Sequence, residues 1–124
     1  MTKTIMLVDD SPTILMSMGA ILGRAGYNVA KAASGEEALR ELQGGQKPAL
    51  IITDLNMGSM NGIELIRRLR QTPTTRFTPI IMLTTESAMD KRQEARSAGA
   101  TGWIVKPVQP TDLLAVVKQM VPGA

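Results

Sequence analysis

The sequence contains no histidine and no cysteine. Without cysteine there is no disulfide framework and no thiolate metal site, and without histidine there is neither an imidazole base nor an imidazole ligand. Any reactive chemistry must therefore use carboxylates, hydroxyls and amines.

Aromatic residues are also scarce, since Tyr27, Phe77 and Trp103 are the only three. The core must be aliphatic and methionine-filled, and a flavin or a single-stranded nucleic acid would find few rings to stack on. The net charge of +3 is carried by scattered lysines and arginines. Such scatter is typical of an ordinary solvated surface, so nucleic-acid binding is not expected.

Long apolar runs are absent as well. The N-terminal apolar stretch is too short for a signal peptide, and no run approaches the ~20 residues that span a bilayer. We therefore expect a soluble, cytoplasmic protein without membrane insertion. With 124 residues, of which 44% are hydrophobic, the chain is predicted to form one domain, residues 1–124, without an effector domain.

Short unalternating apolar runs recur at 5–8, 49–52, 80–83 and 103–105. Such runs are typical of parallel strands that are covered on both faces. Residues 27–31 alternate instead, which predicts a further strand at an edge of the sheet.

Segments with helical periodicity separate the strands. Ser11 followed by Pro12 supplies an N-cap and a first turn, and Ser34 with Glu37 has the spacing of a capping box. The alternation predicts an α/β fold with a parallel sheet and helices on both faces. The apolar positions of the first two helices are Ile14, Met18, Ile21, Leu22 and Ala25, then Ala38, Leu39 and Leu42, and the other helices are predicted over about 62–70 behind Asn61, 88–98 and 110–120.

Polar residues follow the predicted strands, where the carboxyl ends of parallel strands form a ligand-binding edge. Two carboxylates about 4 Å apart repel by roughly 4 kcal/mol at an effective dielectric near 20, so a cluster of acids needs a positive partner. Mg²⁺ prefers oxygen ligands and is often shared with phosphate oxygens. The sequence therefore predicts a Mg²⁺ site beside a phosphoryl group. The polar residues concerned are Asp9 and Asp10, Thr53 and Asp54, Thr84 and Thr85, and Lys106.

Asp54 stands on the central apolar run and is the predicted phosphoryl acceptor, because carboxylates serve in this role in aspartyl-phosphate chemistry. Each motif has an ordinary alternative. An aspartate pair after a strand is commonly a helix cap beside a surface acid, and a lysine before a proline is commonly a loop. Their order at successive strand ends favours the functional interpretation.

In this order the motifs resemble those of bacterial response-regulator receiver domains, over nearly the whole chain. The matching segments are VDDS at 8–11, DLNM at 54–57, NG at 61–62, Thr84, and KP at 106–107. The resemblance implies a doubly wound (βα)5 fold with strand order 2-1-3-4-5. Asn56, Glu86 and Trp103 make the chain most similar to single-domain chemotaxis regulators, which are signalling switches and not enzymes.

The resemblance implies that Asp54 takes a phosphoryl group from a phosphohistidine on a histidine kinase. Mg²⁺ would be held by Asp10, Asp54 and the backbone carbonyl of Asn56, with Asp9 acting mainly through water. Phosphorylation would then change the binding of a partner protein.

Three more roles follow from the resemblance. Lys106 would pair with the phosphoryl oxygens, and the Thr84 hydroxyl would move in to donate a hydrogen bond to one of them. Trp103 would rotate inward as Thr84 moves, although a single tryptophan on an apolar strand can equally be a packed residue.

The resemblance places an output surface on the fourth helix, fifth strand and fifth helix of a monomer. It implies a downstream target such as a flagellar motor or another effector, and allows a phosphatase as a further partner. Gly58 replaces the proline common in the family, which predicts a more mobile acceptor loop. The residues of this surface are Met89, Arg92, Arg96, Trp103, Ile104 and Lys118.

Three alternatives remain at this point. A phosphohydrolase of the haloacid dehalogenase type needs an acid two residues after its nucleophile, where this chain has the amide of Asn56. A flavodoxin-like electron carrier is disfavoured by the scarcity of rings. A phosphate sink would be a receiver domain without an output of its own.

Overall fold

The computed structural model describes residues 3–58, 60–85 and 90–121, and these contain five strands that alternate with five helices. The strands are β1 Thr4–Val8, β2 Asn28–Ala32, β3 Leu50–Asp54, β4 Ile80–Thr84 and β5 Gly102–Val105. The helices are α1 Pro12–Arg24, α2 Gly35–Gln43, α3 Gly62–Gln71, α4 Lys91–Ala98 and α5 Pro110–Met120.

All strands are parallel and lie in the order β2-β1-β3-β4-β5. Every residue of β3 and β4 is buried, whereas β2 lies at an edge with a partly exposed face. The predicted (βα)5 fold, its strand order and the edge position of β2 are therefore confirmed. Among the described helices, none has the length and apolar content needed to cross a bilayer.

Two apolar cores cover the two faces of the sheet. On one face, residues of α2, α3 and α4 such as Leu42, Ile66 and Ala95 pack against the strands. On the other face, α1 and α5 contribute residues such as Leu22 and Leu113. Because each helix crosses back over the sheet, every strand ends at the same edge, and the residues that follow the strands meet there.

The helix caps agree with the sequence pattern. The side chains of Ser11, Ser34 and Asn61 each accept a hydrogen bond from an amide three residues later, at the start of α1, α2 and α3. The Glu37 carboxylate accepts from the Ala33 amide at 3.3 Å, one residue before the amide that a capping box uses.

Some predicted ends differ from the observed ones. Tyr27 lies outside β2 because its amide donates to the Leu22 carbonyl at the end of α1. Ala25 is an exposed C-cap and not part of the buried face of α1. The described part of α4 begins at Lys91, and residues 88 and 89 of the predicted helix lie outside the described residues.

Candidate functional site

Three carboxylates meet at the carboxyl edge of the sheet. Asp9 directly follows β1, and Asp54 is the last residue of β3, which pairs with β1. Asp9, Asp10 and Asp54 each offer a carboxylate oxygen within 4.8 Å of the other two. Asp9 and Asp54 are buried and Asp10 is exposed, so the cluster has one side open to solvent.

Lys106 brings a positive charge to this cluster from the end of β5. Its Nζ atom lies 3.0 Å from Oδ1 of Asp54 and 3.5 Å from Oδ2 of Asp9. The Lys106 amide donates to the Thr84 carbonyl at 2.7 Å, which fixes the main chain of the lysine against the end of β4. One ammonium therefore faces two buried carboxylates, with Asp10 beside them.

Burial raises the pKa of the Asp54 carboxyl above its ordinary value. The contact with Lys106 acts in the opposite direction, and the charge of Asp9 raises the pKa further. For Lys106, burial by itself would lower the pKa, but the contacts with Asp54 and Asp9 outweigh burial and raise it. Lys106 therefore stays positively charged at neutral pH.

Backbone amides hold the two buried carboxylates in place. The Ser11 amide donates to Oδ1 of Asp9 at 2.9 Å, and the Leu55 amide donates to Oδ1 of Asp54 at 2.9 Å. Ser11 was predicted only as the cap of α1, and its contact with Asp9 was not predicted. An aspartate that accepts from the amide two residues later is a common turn, so the Asp-x-Ser spacing could have indicated it.

The donor set fits a hard divalent cation. Oδ2 of Asp9 is buried and accepts no hydrogen bond from the described residues, and its contact with Lys106 is a longer ion pair. A single ammonium offsets only part of the charge of three carboxylates. Oxygen ligands from carboxylates on a partly open site are the set that Mg²⁺ prefers, so the residues present fit this ion.

Thr53 and Thr84 are buried and form local hydrogen bonds, whereas Thr85 is exposed. The Thr84 hydroxyl donates to the Thr85 carbonyl at 3.2 Å. The Thr53 hydroxyl donates to the Asp54 carbonyl at 3.1 Å and contacts the Met57 sulfur at 3.8 Å. Thr53 thus supports the main chain of Asp54 and does not direct its hydroxyl to the carboxylates.

The loop between β3 and α3 carries Asn56 and Gly58, which are both exposed. Gly58 has φ +79°, in the left-handed region. Proline fixes φ near −65°, so the proline common in related sequences could not adopt this backbone. The backbone at Gly58 is therefore one that proline is excluded from, while the predicted mobility of the loop stays a prediction.

Trp103 on β5 is half-buried and lies beneath two arginines of α4. The guanidinium carbons of Arg92 and Arg96 are 5.0 Å and 5.3 Å from the centre of the ring. Lys118 is exposed on α5. These four residues of the predicted output surface are accessible or partly accessible, and Met89 and the chemotaxis-type residue Glu86 lie outside the described residues.

Ile104 requires a correction, because its side chain is buried in the core beneath α1 and α5. Successive side chains of a strand point to opposite faces, so Ile104 points away from the face that carries Trp103. Ile104 therefore offers little surface to a partner.

Comparisons with known proteins agree with this site. Residues 5–118 match the family described as response regulator receiver domain. The chemotaxis protein CheY1 of Helicobacter pylori is 37% identical over 107 residues, 86% of each chain. The solved structure of the Vibrio cholerae chemotaxis protein CheY4 superposes with a TM-score of 0.92 at 40% identity, covering 98% of this chain and 100% of that one.

A further solved structure is the receiver domain of the sensor histidine kinase PA1611 from Pseudomonas aeruginosa, which holds a magnesium ion in its active-site cleft. It is 27% identical, has a TM-score of 0.87, and covers 97% of this chain and 98% of that one. Both the fold and the sequence relatives lead to the same assignment. The chain belongs to the response regulator receiver domain family and is most similar to single-domain regulators of the CheY type.

Proposed function

We propose that the chain is a phosphorylation-controlled switch of a two-component pathway, in which Asp54 accepts a phosphoryl group from a phosphohistidine of a histidine kinase. The observation that carries this proposal is the position of the Asp54 carboxylate. Its oxygens lie beside those of Asp9 and Asp10 and 3.0 Å from the ammonium of Lys106. Phosphoryl transfer depends mainly on such positioning and charge neutralisation.

In the proposed step an oxygen of Asp54 forms a bond to phosphorus while the bond between phosphorus and the imidazole nitrogen of the donor breaks. The imidazole leaves as the neutral base once it has taken up a proton. Lys106 is the proposed partner of the phosphoryl oxygens, and the contact of its ammonium with Oδ1 of Asp54 supports this role.

Mg²⁺ is the proposed cofactor, with Asp10, Asp54 and the Asn56 carbonyl as ligands and Asp9 contributing through water. When bound, it would neutralise charge on the carboxylates and on the transferring phosphoryl group. The buried Oδ2 of Asp9, which lacks a hydrogen bond from the described residues, supports this proposal. The magnesium ion in the related PA1611 receiver domain also supports it.

The proposed switch begins at Thr84. Its hydroxyl would exchange its bond to the Thr85 carbonyl for one to a phosphoryl oxygen, which is the stronger, charged acceptor. Trp103 would then leave Arg92 and Arg96 and turn inward. This movement would alter the accessible surface that Arg92, Arg96, Trp103 and Lys118 form, and so change the binding of a downstream protein in the cytoplasm.

A chemotaxis pathway is the proposed setting, because CheY1 of Helicobacter pylori and CheY4 of Vibrio cholerae are chemotaxis proteins. The kinase, and a flagellar motor or another effector as target, are part of the same proposal. A phosphatase would be a further partner, and the switch would act as a monomer.

The test is incubation with acetyl phosphate and Mg²⁺, followed by intact-mass measurement. We expect one added phosphoryl group on the wild type, which disappears in Asp54→Ala or when the metal is chelated. Asp112→Ala, which removes an exposed carboxylate on α5, is the matched control and should be phosphorylated like the wild type. A wild type that gains no mass, or an Asp54→Ala variant that gains as much, would refute the acceptor assignment.

A further inference from the structure

Gly62, the first residue of α3, lies directly against the main chain of Asp54. A Cβ atom added at Gly62 would overlap the Asp54 carbonyl oxygen, and would come within 3.2 Å of the Asp54 carbonyl carbon and 3.1 Å of the Leu55 Cα atom. The Gly62 amide also donates to the Leu55 carbonyl at 2.8 Å. The start of α3 can approach the end of β3 this closely because residue 62 has no side chain.

Close approach, and not backbone conformation, makes glycine necessary here. The described glycines with positive φ are Gly26, Gly45, Gly58 and Gly99, and Gly62 is not among them. Alanine could therefore adopt the local backbone of residue 62. What excludes alanine is the main chain of Asp54 itself, which cannot rotate away as the end of a flexible side chain can.

Both sides of this contact are buried, and they differ in that the strand side continues into an exposed loop. On the helix side, α3 is anchored by four buried apolar side chains. On the strand side, Asp54 and Leu55 lead into a loop with the exposed residues Asn56 and Gly58. We expect a Cβ atom at position 62 to displace the strand side. The four anchoring residues are Ile63, Leu65, Ile66 and Leu69.

A displacement on the strand side reaches the carboxylate directly. Oδ1 of Asp54 accepts a hydrogen bond from the Leu55 amide at 2.9 Å, and the nitrogen of that amide is bonded to the Asp54 carbonyl carbon and the Leu55 Cα atom, which a Cβ atom at Gly62 would meet. The Leu55 amide also donates to the Leu83 carbonyl at 3.2 Å. Moving Leu55 would therefore change both the end of the β3–β4 ladder and the position of the acceptor oxygen.

We propose that Gly62 is a positioning residue for the Asp54 carboxylate: its missing side chain lets α3 fix the main chain of residues 54 and 55, which aims the carboxylate at Asp9, Asp10 and Lys106. The proposal rests on the proposed function for its meaning in phosphoryl transfer. Its geometric part, the position of Leu55 at the end of the β3–β4 ladder, is measured without metal or phosphoryl donor and stands apart from that function.

The test compares three glycine-to-alanine variants. In Gly62→Ala we expect Mg²⁺ affinity and the rate of phosphoryl uptake to fall about tenfold or more, since a displacement of about 1 Å can cost a reaction a hundredfold. Gly23→Ala places its methyl group in open space on α1 and is the matched control. Gly35→Ala meets the buried side chain of Met60, from its sulfur to its Cβ atom, and controls for strain against a side chain in place of the main chain of Asp54.

Mg²⁺ affinity is measured by calorimetry without a phosphoryl donor, and hydrogen exchange of the Leu55 amide is measured without metal. We expect faster exchange at Leu55 in Gly62→Ala and unchanged exchange there in Gly23→Ala and Gly35→Ala. Normal Mg²⁺ affinity together with normal Leu55 exchange in folded Gly62→Ala would overturn the proposal. A wild type that takes up no phosphoryl group would instead refute the proposed function and leave these two comparisons valid.

Gly62→Ala is also made in the Gly23→Ala background, where the added helical alanine supplies extra stability. We expect this double variant to fold with the same loss of Mg²⁺ affinity. A double variant that does not fold would overturn the proposal, because the fold and not the site would then depend on Gly62.

Discussion

Lys106 and Asp54 form a 3.0 Å ion pair at the carboxyl edge of the sheet, yet burial keeps the pKa of Asp54 above its ordinary value. The ammonium does not fully offset the removal of the carboxylate from water and its proximity to Asp9. The reactive edge therefore carries unfavourable negative charge, which a bound cation can offset. Functional sites commonly carry such a cost in stability.

Replacing Asp54 by asparagine should stabilise the fold at neutral pH. A raised pKa means that the folded state binds the proton more readily than the unfolded state does. Protonation of Asp54 therefore contributes its full stability below pH 3.8, the ordinary pKa of this carboxyl, and the contribution is lost as the pH rises through the folded-state pKa. With a chelator present, Asp54→Asn should require a higher urea concentration to unfold than the wild type. The corresponding gain in the free energy of unfolding should be on the order of 1 kcal/mol. The difference should narrow as the pH is lowered toward 3.8.

Asp90→Asn is the control for this measurement, because Asp90 is exposed and its side chain forms no capping hydrogen bond. It should change stability little at any pH. An Asp54→Asn variant that is less stable than the wild type at neutral pH would contradict the prediction.

Lys106→Met should destabilise the fold and strengthen Mg²⁺ binding. The variant keeps most of the length of the side chain but leaves Asp9 and Asp54 buried without their ammonium, which we expect to cost about 2–3 kcal/mol of unfolding free energy. The same uncompensated charge should attract a divalent cation more strongly. Urea unfolding and calorimetric Mg²⁺ titration check the two effects, and Lys118→Met on the exposed face of α5 should show neither. Weaker Mg²⁺ binding in Lys106→Met would be the opposite of what we expect.

The contacts of Arg92 and Arg96 with Trp103 should oppose the proposed rotation of that ring. Each contact is worth about 0.5–1 kcal/mol at an accessible site, so removing both should favour the inward state by about fivefold to thirtyfold. Trp103 is the only tryptophan, so its fluorescence reports on its own surroundings. In Arg92→Ala/Arg96→Ala, we expect less acetyl phosphate to produce half of the fluorescence change.

Arg68→Ala on the exposed face of α3 is the control for charge and should behave like the wild type. If the double variant needs the same concentration of acetyl phosphate as the wild type, the two arginines do not restrain the ring.

Gly58→Pro should alter the loop and not simply stiffen it, because the φ of +79° is inaccessible to proline. We expect a changed Mg²⁺ affinity in Gly58→Pro, since the Asn56 carbonyl lies on the same loop. Gly58→Ala should lose about 1–2 kcal/mol of stability from left-handed strain, and Gly58→Asn less.

Gly45→Ala is the matched control for Gly58, because Gly45 also has positive φ but follows α2, away from the carboxylates. It should lose stability and keep its Mg²⁺ affinity. Equal Mg²⁺ affinities for Gly58→Pro and the wild type would show that the path of this loop does not matter to the metal site.

Arg70 should contribute to stability without affecting the site. Its guanidinium donates five hydrogen bonds to carbonyls, two of them to Gly99 at 2.9 and 3.0 Å, and so joins α3 to the residue after α4. Arg70→Leu should lower the free energy of unfolding by about 2–3 kcal/mol, because carbonyls satisfied by a charged donor are left without it. Mg²⁺ affinity should not change, since α3 ends at the opposite edge of the sheet.

The exposed Arg68 on the same helix is the control, and Arg68→Leu should change stability by less than about 0.5 kcal/mol. If both variants lose the same free energy of unfolding, the hydrogen bonds of Arg70 do not contribute to stability.

The five strands, the five helices and the bounds of α3 and α5 could be predicted because they follow from local patterns. Unalternating apolar runs mark β3 and β4, and α5 has the predicted bounds Pro110–Met120. The common edge of the carboxylates was also predictable, since parallel strands with return helices must all end on one side. Asp9 and Asp54 meet there although 45 positions separate them in the chain.

Only the tertiary structure decided which side chains touch and which face each one occupies. A strand covered on both faces carries no alternation that sets its phase, so the sequence could not show that Ile104 is buried while Trp103 contacts two arginines. The contact of Gly62 with Asp54 and the ion pair of Lys106 with Asp54 likewise depend on distances between residues of separate elements. Composition and periodicity describe each element alone, whereas such distances are set when the elements pack together.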